Sequence, residues 1–307
     1  MIALIARRLI AAFFTVLAVL LLAGVLVHAA PGDPVTAMME HSASVMPEAA
    51  DDIREQLGLD RPIWQQVGSY AVKALKGDLG MSFRTNEPVA RLVLERLPNT
   101  LLLALAGLGL AVMIGVPVGF AAAVNRGNAI DTLLTTVTVL AISVPGFWLG
   151  LIVMQVFAVK LRWFPVAGTD LRNLALPALT LGLAYFPLVA RMTRSSLLDV
   201  LAEDFVRTAR ARGLSEGRVL AVHVLRPALV NMLTIVGMVF VYMMGGQVII
   251  ENVFAWNGLG RLAVQAMLQR DYPVIQGFIV IFATSIVVVS TCLELIYGLL
   301  DPRMRRQ

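Results

Sequence analysis

The chain is poor in the residues from which most enzyme sites are assembled. Its 307 residues include one cysteine, three histidines and only Lys73, Lys76 and Lys160 as lysines. One thiol, Cys292, builds neither a disulfide nor a cysteine-based metal site within one chain. His223 has no neighbouring set of metal-ligating residues, so packing or surface contact is its expected role. The phosphate-cradling pattern GxxxxGK(S/T) is absent, and the chain is not expected to hydrolyse ATP itself. Charge is scarce too, at 15% of residues against about a quarter in a soluble domain. The net charge of +5 is divided among loops between apolar runs, which argues against a nucleic-acid-binding face.

What the chain has is oil. Hydrophobic residues make up 58% of it, and six stretches are long and apolar enough to cross a bilayer as helices, at about 9–28, 99–124, 132–159, 174–190, 228–250 and 274–298. The expected fold class is therefore all-α, a polytopic membrane protein with six transmembrane helices. The first stretch follows Arg7 and Arg8, but its apolar core exceeds the ~7–15 residues of a cleaved signal, so it is expected to remain as a helix. The fourth is short and contains Pro177, Gly182 and Pro187, which suggests a kink or an extension at either end. Arginines in the short connecting segments, among them Arg126, Arg191 and Arg194, favour both termini on the cytoplasmic side.

Between the first two spans, segment 30–97 is too polar to cross. "VMPEAADDIREQLGL" places Pro47 near a helix start, with Ile53 and Leu57 on one face. "PIWQQVGSYAVKALKGDLG" repeats the pattern through Ile63, Val67, Tyr70 or Ala71, and Leu75, ending at Gly77. Together they read as a small external helical scoop.

Within the spans, Gly107, Gly109, Gly115 and Gly119 suggest close helix packing. Pro145-Gly146 marks a bend in the third span. Gly245-Gly246 permits an irregular exit from the fifth. Met243 and Met244 read as core filler. Glu294 is the clear ionisable residue in a span, and a buried carboxylate must pair, protonate or face water. It is a pathway or gate candidate with Gln155, Asn231, Gly245 and Gly246. Outside, Glu251, Asn252, Trp256, Asn257, Arg261 and Asp271 are candidates for contact with an external partner, Trp256 being equally readable as an interfacial anchor like Trp64 and Trp163.

The longest polar interruption of the second half is "EDFVRTARARGLSEGRVLAVHVLRPAL", residues 203–229. Ser196 or Asp199 can cap a turn before it. Phe205, Ala209 and Leu214 offer an apolar face, Gly213 a stop, and Ser215 a cap for a second helix whose Val219, Val222 and Leu225 face the membrane domain. Periodicity alone leaves two readings open: arginines meeting anionic lipid headgroups, or a docking element for an acidic partner.

This run resembles the cytoplasmic loop of permease subunits of binding-protein-dependent ABC importers, in the dipeptide, oligopeptide, glutathione and nickel group. So do "PGDP" (31–34), "LGLDRPIWQQ" (57–66), "GDLGMSF" (77–83), "LPNTLLLALAG" (97–107), "ISVPGFWLG" (142–150), "LPALTLG" (176–182), "NVFAWNGLGRLAVQAMLQRDYPVIQG" (252–277) and "DPRMR" (301–305). The order and spacing of the fragments carry the resemblance, and the length is similar to that of the shorter, first permease of the heterodimeric pair. The broad importer pattern has Glu-Ala-Ala where this chain has Thr208-Ala209-Arg210, and a later Leu-Pro where it has Leu225-Arg226 followed by Pro227; such departures are similar to those of the peptide group.

The resemblance implies a type I ABC importer permease-like fold, a single permease domain over 1–307 with an external elaboration at 30–97 and a coupling loop at 191–227. It nominates Thr208, Ala209, Arg210, Ala211, Arg212, Gly213, Leu214, Ser215 and Glu216 as the coupling element that fits an ATPase cleft. Implied partners are a related second permease subunit, two ABC ATPase subunits that bind the ATP and Mg, an external or periplasmic solute-binding protein, and the lipid of a bacterial inner membrane. No cofactor is expected on this chain. The implied function is import of dipeptides or short oligopeptides by alternating access, with glutathione or a nickel or other metal chelate as alternative cargo. An ion-coupled secondary carrier is the rival class, one that would show coupling-ion groups in its spans.

Overall fold

A computed structural model describes residues 2–29, 62–166, 168 and 170–300. The expectations at Pro47, Ile53 and Leu57 and the fragments at 31–34 and 301–305 lie outside these residues. So do the side chains of Asn231 and Glu294. Among the described residues the secondary structure is helical apart from an isolated bridge between Met81 and Pro88.

In chain order the elements are α1 (Ile2–Ala29), α2 (Ile63–Leu75), α3 (Val89–Leu94), α4 (Leu97–Val124), α5 (Ala129–Ile142) and α6 (Gly146–Val153), the last passing into a π-helical stretch, Met154–Lys160. Then come α7 (Leu171–Leu201), α8 (Asp204–Ala211) and α9 (Glu216–Arg218), which passes through π-helical Val219–Val224 into α10 (Leu225–Val253), α11 (Leu259–Leu268) and α12 (Tyr272–Leu300). Among the described residues five helices are long and apolar enough to cross a membrane, and six spans result if the pair α5 and α6 with its π-helical extension is counted as one.

That pair is bent by 97°. The bend expected at Pro145-Gly146 in the third span, 132–159, is thus a break between two helices. Ser143 closes α5 and Pro145, extended at φ −61° and ψ 132°, opens α6. Proline has no N–H to give the ladder and pushes its predecessor out of the helical region, so the break falls there. The fourth span grows in the opposite sense. Instead of ending near 190, α7 continues to Leu201 through both of its prolines. Its 31 residues reach about 46 Å at 1.5 Å each, beyond the ~30 Å hydrocarbon core.

The contacts divide the chain into two compact units. One comprises residues 1–99 and 257–291, the other 100–256 and 292–307. In the first, Leu20 and Ala23 of α1 share a core with Ala71, Leu79, Val89, Val93, Leu259 and Val274. α2 buries Val67 and Ala71 while Ile63 and Leu75 remain exposed. Gly24 brings α1 against α2: a β-carbon there would stand 3.1 Å from Val67. Gly77 at φ 86° ends the turn after α2, as its sequence position suggests.

In the second unit, α4 and α7 pack through a seam of small residues. β-carbons at Gly107, Gly115 and Gly119 would strike Leu181, Val189 and Thr193. Gly109 faces open space and is not part of the seam. Leu103, Leu181, Val189, Met243, Ile250, Phe254 and Trp256 form the core around it. A further cluster joins the ends of α4 and α7 to the polar loop through Ala123, Leu197, Val200, Val206, Ala209, Val219, Val224 and Met232.

Candidate functional site

That last cluster explains why a run with so many arginines is ordered. Glu203 is extended and sits at the N-cap of α8, and Val206 and Ala209 turn inward, Val206 with no exposed surface. Phe205, expected on this face, is exposed and Val206 takes its place, whereas Ala209 is buried and Leu214 half-buried. Gly213, at φ 77°, stops the helix by a left-handed turn in which its N–H donates to the Arg210 carbonyl at 2.9 Å. Ser215 is extended before α9 without making a side-chain cap. Beyond it Val219 and Val224 are buried and Val222 is exposed, because a π-helical turn shifts the register that a 3.6-residue period predicts. Nor do Ser196 and Asp199 cap anything: α7 runs through both.

Across the turn, Arg210 grips Glu216 with two hydrogen bonds, Nη2 to Oε1 at 2.6 Å and Nε to Oε2 at 3.1 Å. The guanidinium holds the Glu216 carboxyl below its usual range, and the carboxylate raises Arg210 in turn. The pair is exposed, so it organises the turn more than it stabilises the protein. Sequence reasoning nominated both residues without pairing them; six positions apart and separated by a glycine, they have no helical spacing to read. With Arg210 engaged, the turn presents Ala211, Arg212, Gly213 and Ser215 outward, and a β-carbon at Gly213 would meet nothing within 4 Å. Thr208 is exposed and bonded to the Asp204 carbonyl, and Leu214 is half-buried beneath the turn. The result is a small, smooth knob of known handedness, fixed from beneath by aliphatic side chains and rimmed by positive charge.

The pathway candidates are less united. Gln155 lies exposed in the π-helical end of α6, and Gly245 faces open space. Gly246 lies beneath the Tyr185 hydroxyl, which donates to the Tyr242 carbonyl at 3.2 Å. An irregular exit at Gly245-Gly246 is corrected: α10 passes through both and ends at Val253, since two glycines weaken a helix by only ~1 kcal/mol each and packing recovers it. Met243 and Met244 are buried, as core filler should be.

The outer candidates are corrected as a surface. Glu251 is buried and accepts from Thr100 Oγ1 at 2.8 Å. Trp256 is 4% exposed in the core, unlike Trp64 and Trp163, so it is neither a free contact nor an interfacial anchor. Asp271 is 3% exposed and accepts from Ser82 Oγ at 2.5 Å and from Phe83 N at 3.2 Å, pinning the turn after α2. Asn252 donates to the Val248 carbonyl, and Arg261 is half-buried. Asn257 is exposed, with its carbonyl held by Asn99. Buried polar groups need partners, and sequence position alone conceals which loop residues have found them.

One ion pair went unforeseen. Arg194 of α7 makes two 2.8 Å hydrogen bonds to Asp131 of α5, which also accepts from the Gly127 N–H. It joins two elements 63 positions apart, a separation at which sequence carries no pairing signal.

Comparison with known proteins identifies this apolar bundle. Residues 115–306 match the family described as the inner membrane component of binding-protein-dependent transport systems, and residues 1–104 match the N-terminal region of such components. The chain belongs to the binding-protein-dependent ABC importer permeases. This permease is 40% identical over 314 residues to a putative peptide transport system permease protein of Brucella abortus, covering 99% of each chain. It is 39% identical over 300 residues to the glutathione transport system permease protein of Escherichia coli K12, covering 97% of each. Its fold resembles a solved inward-facing methionine ABC transporter at a TM-score of 0.61 and 18% identity, over 68% of this chain and 96% of that one. An amino acid ABC transporter is similar at 0.55 and 17% identity, over 68% and 94%. The permease is thus a multi-pass inner-membrane protein that works with ATPase and substrate-binding partners.

Proposed function

We propose that this permease imports dipeptides or short oligopeptides by alternating access. The observation that carries the cargo is the near end-to-end likeness to the Brucella peptide permease. Loaded binding protein docks outside, closure of two ATPase subunits moves the turn at 208–216, and the bundle rocks from outward to inward access. The chain contributes no nucleotide site: ATP and Mg are held by the ATPases, and a second related permease completes the pathway. Both termini are cytoplasmic, which places the turn on the ATPase side. The exposed, rigidly supported knob supports that role, since a coupling element must transmit displacement without deforming.

Glutathione is the second reading, favoured by the likeness to the Escherichia coli permease. Uptake of labelled trialanine, glutathione and a nickel chelate by cells with and without this gene separates the cases. The peptide reading predicts that deletion removes trialanine uptake; loss of glutathione or nickel uptake alone would overturn it.

A further inference from the structure

The far end of α7 lines a cavity that the docking turn does not use. Arg191, Arg194, Ser195, Ser196 and Asp199 line it together with Thr234 of α10, and it is an open groove of about 630 Å³. That is the size of a site for a small molecule. Its charges are ordered along the helix. Arg191, Ser195 and Asp199 recur every four residues on one face, and eight residues set the two charges about 12 Å apart along the axis. Arg194 is engaged by Asp131, which leaves Arg191 as the exposed cation and Asp199 as the exposed anion of the cavity.

Between them lies a polar group that the fold does not satisfy. Ser196 is 5% exposed, and its hydroxyl is enclosed without a hydrogen-bond partner among the described residues. The buried Thr180 hydroxyl on the same helix, by contrast, donates to the Leu176 carbonyl at 2.9 Å. A buried hydroxyl left open costs stability unless something meets it.

We propose that this cavity binds a zwitterionic peptide of three or four residues, with its carboxylate on Arg191 and the Ser195 hydroxyl and its ammonium group on Asp199. An extended chain advances ~3.3–3.6 Å per residue, so a tripeptide nearly spans the two charges. A simple anion would meet Arg191 and leave Asp199 unused. The phosphoethanolamine headgroup of a lipid, with charges two carbons apart, is too short to reach both. The proposal rests on the peptide reading above and adds a product-side site at the end of α7.

The test is titration of the full-length permease in phosphatidylcholine nanodiscs with trialanine, N-acetyl-trialanine, trialanine amide and inorganic phosphate. Saturable trialanine binding is expected, weakened at least tenfold by capping either end. Arg191→Gln should abolish discrimination against the amide, and Asp199→Asn discrimination against the acetyl peptide. Exchanging the charges in Arg191→Asp with Asp199→Arg should restore binding of the uncapped peptide. No saturable binding, equal binding of capped peptides, or phosphate binding as strong as that of trialanine would overturn the site. Cellular trialanine uptake is scored separately. Uptake without binding removes the cavity proposal alone, whereas binding without uptake supports the cavity and removes the peptide import reading.

Discussion

Single side chains decide what the polar loop can do. The Arg210–Glu216 pair closes the turn around Gly213, and Arg212 is left to face outward. Because the Glu216 carboxyl is depressed by its arginine, the pair is complete above the ordinary carboxylate range and dissolves only as pH falls through the depressed value. Uptake should therefore show no step from this pair across about pH 6–8. Glu216→Arg places two cations across the turn at every pH. We expect it to lower ATP-driven uptake at least tenfold while membrane insertion, measured by protease protection, is unchanged. Normal uptake would mean that the closed turn is dispensable. Gly213→Arg should act likewise, since the left-handed position resists a side chain and the added bulk would stand on the proposed docking surface.

Helices and their seams form the next scale. In the seam of α4 and α7, Gly119→Leu would drive a branched side chain into Thr193 and the Ala190 carbonyl. Overpacking of this kind costs ~1–3 kcal/mol, and the thermal midpoint in detergent should fall accordingly. Gly109→Leu on the open side should leave it unchanged. Val206→Asp, buried beneath the turn, should detach α8 and uncouple uptake without lowering the midpoint of the bundle. Apolar length made the spans legible in the sequence, and Pro145 announced the bend. An extension of α7 was one of two readings, and its full reach beyond 190 was hidden because Thr193 and Ser196, polar in sequence, face inward. The π-helical turn at Val219–Val224 hid the true buried face in the same way, by breaking the period on which the reading relies. Long-range pairs such as Asp131 with Arg194, or Glu251 with Thr100, have no local pattern at all.

At the scale of the whole molecule, the permease is the inner membrane component of a binding-protein-dependent transport system. It has a bundle, a knob and no phosphate-cradling lysine loop in its sequence. Its outer loops were legible as family fragments yet misleading as a contact surface, because Glu251, Trp256 and Asp271 are spent on holding those loops in place. We propose that partner ATPase subunits supply the energy. The most direct test is affinity purification of this chain at native expression in mild detergent, followed by mass identification of stoichiometric partners. The account predicts one sister permease, two ATPase subunits and a solute-binding protein, whose bound ligand would name the cargo. A chain that is recovered alone, stable and active in transport after reconstitution would contradict it.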